Sequence, residues 1–222
     1  KPFTDKHPKA LAEVNGKTLL EHTITYLQKF GIEEVVVNVH HFSDQIIRAV
    51  QENNGWGSNI TISDESSEVL ETGGGVLFAA DYFKNESSWL VMNADILTTM
   101  PLDKMMAADA ALKNSHDHYV ATLAVTNRNS SRNLLFNQND LLTGWKNNTT
   151  LEEKWVAAQT NAISDSSKII PKAFSGIQII HAPFYTALQL HGKFSLIDAY
   201  LQIAQHYAIH FYDHSDGILL DV

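Results

Sequence analysis

The sequence predicts an α/β fold, in which helices cover both faces of a mostly parallel central sheet and a small antiparallel insertion interrupts the pattern. Segments with helical spacing of apolar residues alternate with short β-branched runs over residues 18–125. Residues 127–167 are instead polar and rich in Asn, Ser and Thr, which is typical of antiparallel strands and loops. The 222 residues suffice for one such unit, so we expect a single domain spanning 1–222.

The predicted elements follow from the period of the apolar residues. The predicted helices are 18–30, 43–53 (with Ser43 as N-cap), 76–83, 102–113 and 194–206. The predicted strands are 33–39, 60–62, 89–92, 119–125, 172–180, 209–212 and 218–222. The β-branched run at 35–37 indicates a strand buried on both faces.

Composition excludes several function classes. The net charge of −9 argues against nucleic acid as a partner. No apolar run approaches the roughly 20 residues of a membrane helix, so we expect no membrane association. The absence of cysteine excludes disulfides, thiolate–zinc sites and thiol nucleophiles, and it fits a cytoplasmic protein.

Two carboxylates mark a candidate metal site. Asp95 follows the apolar run at 89–92, and Asp221 ends the run at 217–221. Ligands of parallel α/β sheets bind beyond the carboxyl ends of the strands, where both carboxylates are expected. Mg²⁺ favours a few carboxylate oxygens together with substrate phosphates, so the pair predicts a magnesium site.

Two further segments fit a phosphate-bearing ligand. The glycines at 73–75 would let backbone amides approach a ligand closely at a helix N-terminus. They match neither the dinucleotide fingerprint nor the P-loop. Near the start, Pro8 stiffens a loop that could hold Lys9 in a fixed direction, although a solvated surface loop is the simpler interpretation.

Histidine pairs invite a zinc hypothesis, which the spacing disfavours because no third ligand is evident. These pairs are His40 with His41, His116 with His118, and His210 with His214.

Several motifs together resemble those of the sugar-1-phosphate nucleotidyltransferases. The N-terminal residues P-F-T (2–4), P-K-A-L (8–11) and V-N-G-K (14–17) resemble the family's signature. L-E-T-G-G-G (70–75), N-A-D (93–95) and F-S-G-I (174–177) resemble its later motifs, in the same order. The nearest branch is that of the N-acetylmuramate-1-phosphate uridylyltransferases, whose neighbours are mannose-1-phosphate guanylyltransferases.

The resemblance implies a Rossmann-like three-layer α/β/α nucleotidyltransferase domain with Mg²⁺ as cofactor, acting in nucleotide-sugar and cell-envelope biosynthesis. It implies that Lys9 contacts the phosphates in the transition state and that Asp95 and Asp221 bind the metal. The implied substrate-binding residues are Leu70, Thr72 and Gly73 for the base and ribose, Gly176 for the sugar pocket, and Lys146 near the sugar phosphate. Asn93 is a further predicted substrate-binding residue.

The sequence departs from the family pattern in three places. The family's phosphate loop, G-x-G-T-R, is absent, and we expect a longer protein to supply it together with the first strand. Ala94 stands where the family often has glycine, and W-K-N (145–147) replaces the usual E-K-P around Lys146.

The implied reaction transfers a nucleoside monophosphate from a nucleoside triphosphate to a sugar-1-phosphate, with UTP and N-acetylmuramate-1-phosphate as the first choice of substrates. GTP with mannose-1-phosphate or heptose-1-phosphate is the alternative. A non-catalytic nucleotide-binding homologue is a further class, against which the presence of Lys9, Asp95 and Asp221 speaks. A nicotinamide-dependent oxidoreductase lacks its fingerprint here, and a glycosyltransferase would usually show Asp-x-Asp where this chain has N-A-D.

Overall fold

A computed structural model describes residues 3–66, 70–157 and 169–222. In these ranges the α-helices are Leu19–Gln28 (α1), Ser43–Glu52 (α2), Glu71–Ala79 (α3), Leu102–Ser115 (α4), Pro183–Ala187 (α5) and Leu196–Ile203 (α6). The strands are Glu13–Val14 (β1), Lys17–Thr18 (β2), Glu34–Val39 (β3), Asn59–Asp64 (β4), Ser88–Met92 (β5), Ile96–Thr98 (β6), Tyr119–Thr126 (β7), Arg132–Phe136 (β8), Leu142–Asn147 (β9), Glu153–Trp155 (β10), Ile170–His181 (β11), Ala208–Asp213 (β12) and Leu219–Asp221 (β13).

A mixed sheet forms the centre of the molecule, in the order β10-β9-β8-β11-β7-β12, with β5 on the free part of β11. Strand β11 is antiparallel to β5, β7 and β8, whereas β12 is parallel to β7. Strands β5, β7 and β12 therefore point the same way, and β11 runs between β5 and β7 in the opposite direction. The predicted α/β fold is confirmed, and this reversed strand makes the sheet mixed.

The antiparallel insertion is also confirmed in the described residues. Strands β8, β9 and β10 pair in sequence as a meander, and β8 joins the meander to β11. The last part of the predicted insertion, residues 158–167, lies outside the described residues.

The core lies between the central sheet and the helices on its faces. One buried cluster joins β7, β11 and α6 through side chains such as Val120, Ile180 and Tyr200. A second joins α1 and α4 to the other face of the sheet through Leu27, Met105 and Ile179. All eight residues of β7 are buried, as expected for a central strand covered on both faces.

The burial of strand β3 differs from the prediction that both of its faces are covered. This strand pairs in parallel with β4, but Val35, Val36 and Val37 are only half-buried rather than covered on both faces. The reason is a cavity of about 990 Å³ between β3 and β5, which the apolar residues of both strands line. Helices α1 and α3 contribute Leu20, Ile24, Val76 and Ala79 to its walls, among other residues.

The helix starts differ in how well the sequence predicts them. Thr18 caps α1 through its hydroxyl, which accepts a hydrogen bond from the backbone N–H of Glu21 at 3.1 Å. Ser43 was expected to cap α2 but is its first helical residue. Phe42 stands at the cap position with φ 57°, and the Ser43 hydroxyl contacts that of Ser66 instead.

None of the helices in the described ranges combines the length and the apolar character needed to cross a membrane.

Candidate functional site

Asp95 and Asp221 are brought together by a short strand pair at the carboxyl end of β5. The chain leaves β5 at Met92, passes Asp95 and enters β6, which pairs antiparallel with β13. In this register Asp221 lies opposite Ile96, the residue after Asp95. The backbone N–H of Val222 also donates to the Asp95 carbonyl at 3.2 Å. The two carboxylates predicted from separate strand ends therefore lie in one place.

Lys9 completes this cluster from the N-terminal segment. It opens a 3₁₀ turn, Lys9–Leu11, directly after Pro8. Its Nζ lies 2.7 Å from Oδ2 of Asp95 and 3.6 Å from Oδ1 of Asp221. The hydrogen bond to Asp95 raises the pKa of Lys9 above its usual value of 10.5, with the charges of both carboxylates adding to it and partial burial opposing it. The ammonium is therefore fully charged at neutral pH.

The donor set of this cluster fits a hard divalent cation. Oxygens of Asp95 and Asp221 converge on one point, which the Lys9 ammonium marks, and both side chains are partly open to solvent. Within residues 3–66, 70–157 and 169–222, no group of three or more His, Asp or Glu side chains is placed to hold a metal. Mg²⁺ in proteins is commonly bound by one or two carboxylates, and water and phosphate oxygens fill its remaining coordination positions.

Asn93 and Gly176 form a second contact beside the carboxylates. The backbone N–H of Asn93 donates to the Gly176 carbonyl at 2.9 Å. Gly176 has φ +71°, and a Cβ built on it would lie only 2.7 Å from Nδ2 of Asn93. Both the backbone conformation and the close approach therefore require glycine at this bulge of β11.

The three glycines lie inside the first turns of α3, and the amides of Gly73 and Gly74 already have partners. The N–H groups of Gly73 and Gly74 both donate to the Phe194 carbonyl, at 3.0 and 3.3 Å. The Thr72 hydroxyl accepts from the N–H of Leu196 at 3.1 Å, and the Leu70 carbonyl accepts from the N–H of Phe194 at 3.3 Å. This segment is thus anchored to the start of α6, and the amides expected to face a ligand instead fix that packing.

Lys146 lies on β9 in the antiparallel insertion and does not contact the Lys9 cluster in the part of the chain that the structure describes. Its Nζ bonds Oε1 of Glu153 on the neighbouring β10 at 2.8 Å. This hydrogen bond lowers the pKa of the Glu153 carboxyl. The role of Lys146 near the sugar phosphate therefore stays a prediction from the resemblance.

The sequence does not predict three buried polar residues of the structure, which are Glu65, Ser175 and His214. Glu65 follows β4 directly and is 8% exposed, and Oε1 has no hydrogen-bond partner. The Ser175 hydroxyl and Nε2 of His214 lie 2.7 Å apart, which ties β11 to the segment leading into β13. Glu65 follows a strand in which polar residues alternate with Ile60 and Ile62, and the exposed Asp64 precedes it, so the sequence does not single it out. The Ser175–His214 contact spans 39 residues and has no local pattern.

Within the described residues, the histidine pairs belong to no group of three or more His, Asp or Glu side chains that could hold a metal. His116 lies against His210, with ring centroids 4.6 Å apart, and burial lowers the pKa of His210. His214 bonds Ser175, and Nδ1 of His40 bonds the Glu65 carbonyl.

The fold and the site define a class: an α/β protein with a lysine–carboxylate cluster at the carboxyl edge of a mixed sheet. The profile of the family described as "Nucleotidyl transferase" matches residues 1–141, more than half of the chain. The chain belongs to this family.

Curated relatives match over part of their length. The chain is 45% identical over 82 residues to the N-acetylmuramate alpha-1-phosphate uridylyltransferase of Caulobacter vibrioides, covering 36% of this chain and 34% of that protein. It is 32% identical over 114 residues to the D-glycero-alpha-D-manno-heptose 1-phosphate guanylyltransferase of Campylobacter jejuni, covering 50% of each. The matched segments thus span a third to a half of these relatives.

Solved structures of similar fold cover nearly the whole chain. HddC from Yersinia pseudotuberculosis, in a complex with GMP-PN, superposes with a TM-score of 0.71 at 18% identity, over 97% of this chain and 84% of that one. The inositol-1-phosphate CTP transferase from T. maritima gives a TM-score of 0.70 at 13% identity, over 100% and 82%. At these identities the likeness concerns the fold.

Proposed function

We propose that the protein transfers a nucleoside monophosphate from a nucleoside triphosphate to a sugar-1-phosphate, releasing pyrophosphate and forming a nucleoside diphosphate sugar. One observation carries the proposal: Lys9, Asp95 and Asp221 come from distant parts of the chain and meet at one point on the carboxyl edge. Membership of the nucleotidyl transferase family supports the reaction class.

In this reaction an oxygen of the sugar-1-phosphate attacks the α-phosphorus and forms the new P–O bond. The bond from the α-phosphorus to its bridging oxygen breaks in line, and pyrophosphate leaves with that oxygen. Asp95 and Asp221 would hold Mg²⁺, whose charge offsets that of the phosphates. Lys9 would donate hydrogen bonds to phosphate oxygens as their charge shifts, so positioning and charge neutralisation suffice and no protein nucleophile is required.

For the substrates we propose UTP and N-acetylmuramate-1-phosphate. The higher identity to the uridylyltransferase from Caulobacter than to the heptose-1-phosphate guanylyltransferase supports this choice. GTP with mannose-1-phosphate or heptose-1-phosphate is the second candidate, which the latter relative favours. Asn93 and Gly176 are proposed to line the sugar pocket, Lys146 to lie near the sugar phosphate, and Leu70, Thr72 and Gly73 to hold the base and ribose.

The test measures pyrophosphate release in the presence of Mg²⁺. UTP, GTP, CTP, dTTP and ATP are each tried against a panel of sugar-1-phosphates that includes N-acetylmuramate-1-phosphate, mannose-1-phosphate and heptose-1-phosphate. Asp95→Asn and Asp221→Asn should each lower kcat by roughly 10²–10³, as expected when a group that stabilises transition-state charge is lost. Asp81→Asn is the matched control, because this aspartate is exposed and paired with Lys84 away from the cluster. Near-normal turnover of either site variant would refute the metal assignment. Absence of turnover across the panel with nucleotide binding retained would favour a non-catalytic homologue.

A further inference from the structure

The Lys9 ammonium lies at the point where a metal ion would bind. Its Nζ is 2.7 Å from Oδ2 of Asp95 and 3.6 Å from Oδ1 of Asp221. Mg²⁺ bound to the same carboxylates would hold their oxygens at about 2.0–2.1 Å. Because two cations that close repel each other strongly, the ammonium and the metal cannot share this position.

We propose that Lys9 is the resident counter-ion of Asp95 and Asp221, and that metal binding displaces its ammonium and frees it for the substrate phosphates. The inference rests on the metal site of the proposed function, and it adds the step that makes Lys9 available.

The charges of the cluster support this exchange. One ammonium and two carboxylates give the cluster a net charge of one negative, within a chain whose net charge is −9. That field disfavours a triphosphate. Adding a divalent cation changes the net charge of the cluster to one positive, and the released ammonium then has no carboxylate partner there. The exchange therefore converts a site that repels phosphates into one that attracts them, and the metal must enter with the nucleotide or before it.

The local structure allows the ammonium to move while the backbone stays in place. Lys9 is held in its 3₁₀ turn by backbone hydrogen bonds, with the N–H of Ala12 donating to its carbonyl at 2.9 Å. Its side chain is 43% exposed, and those of Asp95 and Asp221 are 28% and 49% exposed. A lysine ammonium on a flexible four-carbon stem can thus swing away from the carboxylates as an ion arrives from solvent.

The test measures metal affinity without nucleotide, using Mn²⁺ as the probe and its free-ion electron paramagnetic resonance signal as the readout. Lys9→Met should bind Mn²⁺ roughly three- to tenfold more tightly than the wild type at low ionic strength, because the competing cation is gone. The gain should shrink as salt is added. Lys9→Arg keeps the charge and should bind Mn²⁺ like the wild type, which separates the effect of charge from any effect on folding.

Lys6→Met is the matched control, since it removes a lysine from the same segment, where the Lys6 backbone carbonyl accepts from Nε2 of Gln45. This variant should leave the Mn²⁺ affinity unchanged, whereas Asp221→Asn should weaken it. The proposed exchange is overturned if Lys9→Met binds Mn²⁺ as weakly as the wild type or more weakly. It is also overturned if Asp221→Asn binds Mn²⁺ with the same affinity as the wild type. The Mn²⁺ measurement does not depend on turnover. Tighter Mn²⁺ binding by Lys9→Met, found together with a wild-type protein that is inactive across the substrate panel, would therefore refute the proposed reaction and leave the exchange standing.

Discussion

At the scale of single residues, the surroundings of Glu65 compensate only in part for the burial of its carboxyl group. The side chain is 8% exposed at the end of β4, and its Oε1 lacks a hydrogen-bond partner. A Cβ built on Gly75 of α3 would lie 2.7 Å from that oxygen, so the carboxyl lies directly against the helix. Burial raises the pKa of Glu65 above its usual value of 4.5, and the nearby charge of His40 opposes this effect only in part.

The raised pKa predicts how stability depends on pH. The folded state binds the Glu65 proton more tightly than the unfolded state, so the free energy of unfolding falls as pH rises from about 4.5 through the folded-state pKa. Glu65→Gln removes this loss and should raise the free energy of unfolding at pH 7.5 by about 1 kcal/mol, because burying a neutral amide costs less than burying an ionised carboxylate. The gain should vanish near pH 4. Urea unfolding at both pH values checks this, with the exposed Glu52→Gln as control. Lower stability of Glu65→Gln at pH 7.5 would show that the charge has a favourable partner.

At the scale of elements, the position of α3 depends on close packing at Gly74. A Cβ built there would lie 2.3 Å from the Gly192 carbonyl oxygen and 2.9 Å from Cβ of Leu70. Gly→Ala inside a helix usually stabilises it by about 1 kcal/mol. Here the added methyl group must push α3 away from the 192–196 segment, and we expect Gly74→Ala to lower the free energy of unfolding by roughly 1–3 kcal/mol.

Hydrogen exchange is the sharper readout for Gly74→Ala. The amides of Gly73 and Gly74 should lose protection, because their acceptor is the Phe194 carbonyl across the same contact. Phe78→Ala is the control on the same helix: its side chain is 49% exposed, and its loss should leave those amides protected. If Gly74→Ala instead raised the free energy of unfolding, the 192–196 segment would have to shift without an energetic cost.

The elements that the sequence predicts well are those long enough to show a period. The helix α1 carries apolar residues on one face, and β7 is a continuous run that is buried throughout. The strands β1, β2 and β6 have only two or three residues. This is too short to show the period of a helix or of a strand, so no local pattern predicts them.

The same limit applies to the site. Asp95 and Asp221 were predicted from strand ends, but their meeting depends on the pairing of β6 with β13, which joins segments more than a hundred residues apart. The role of the glycines in α3 was expected to be contact with a ligand through their amides. Their packing against Phe194 and Gly192 depends on a distant segment that sequence periodicity does not place.

At the scale of the whole molecule, the cavity between β3 and β5 separates two strand edges that could each pair with a further strand. Among the described strands, β3 pairs with β4 and β5 with β11, and the other edge of each borders the cavity. The carboxyl ends of both strands lie in one cluster, which contains Val39 and Ala94. Open, apolar edges of this kind favour pairing with a further strand. A further strand has room here, parallel to both neighbours and covered by α1 and α3.

This expectation can be tested by adding a strand. The 222-residue chain should bind the dye ANS in its open cavity, and those backbone amides of β3 and β5 that face the cavity should exchange rapidly. An N-terminal extension of about six alternating Val and Ile residues on a flexible linker should displace the dye, and it should slow exchange at both edges by about tenfold or more, because paired and buried amides exchange only on opening. The same extension with a central proline is the control, since proline cannot donate to the ladder. Slow exchange of both edges in the unextended chain would show instead that β3 and β5 close on each other and leave no place for a strand.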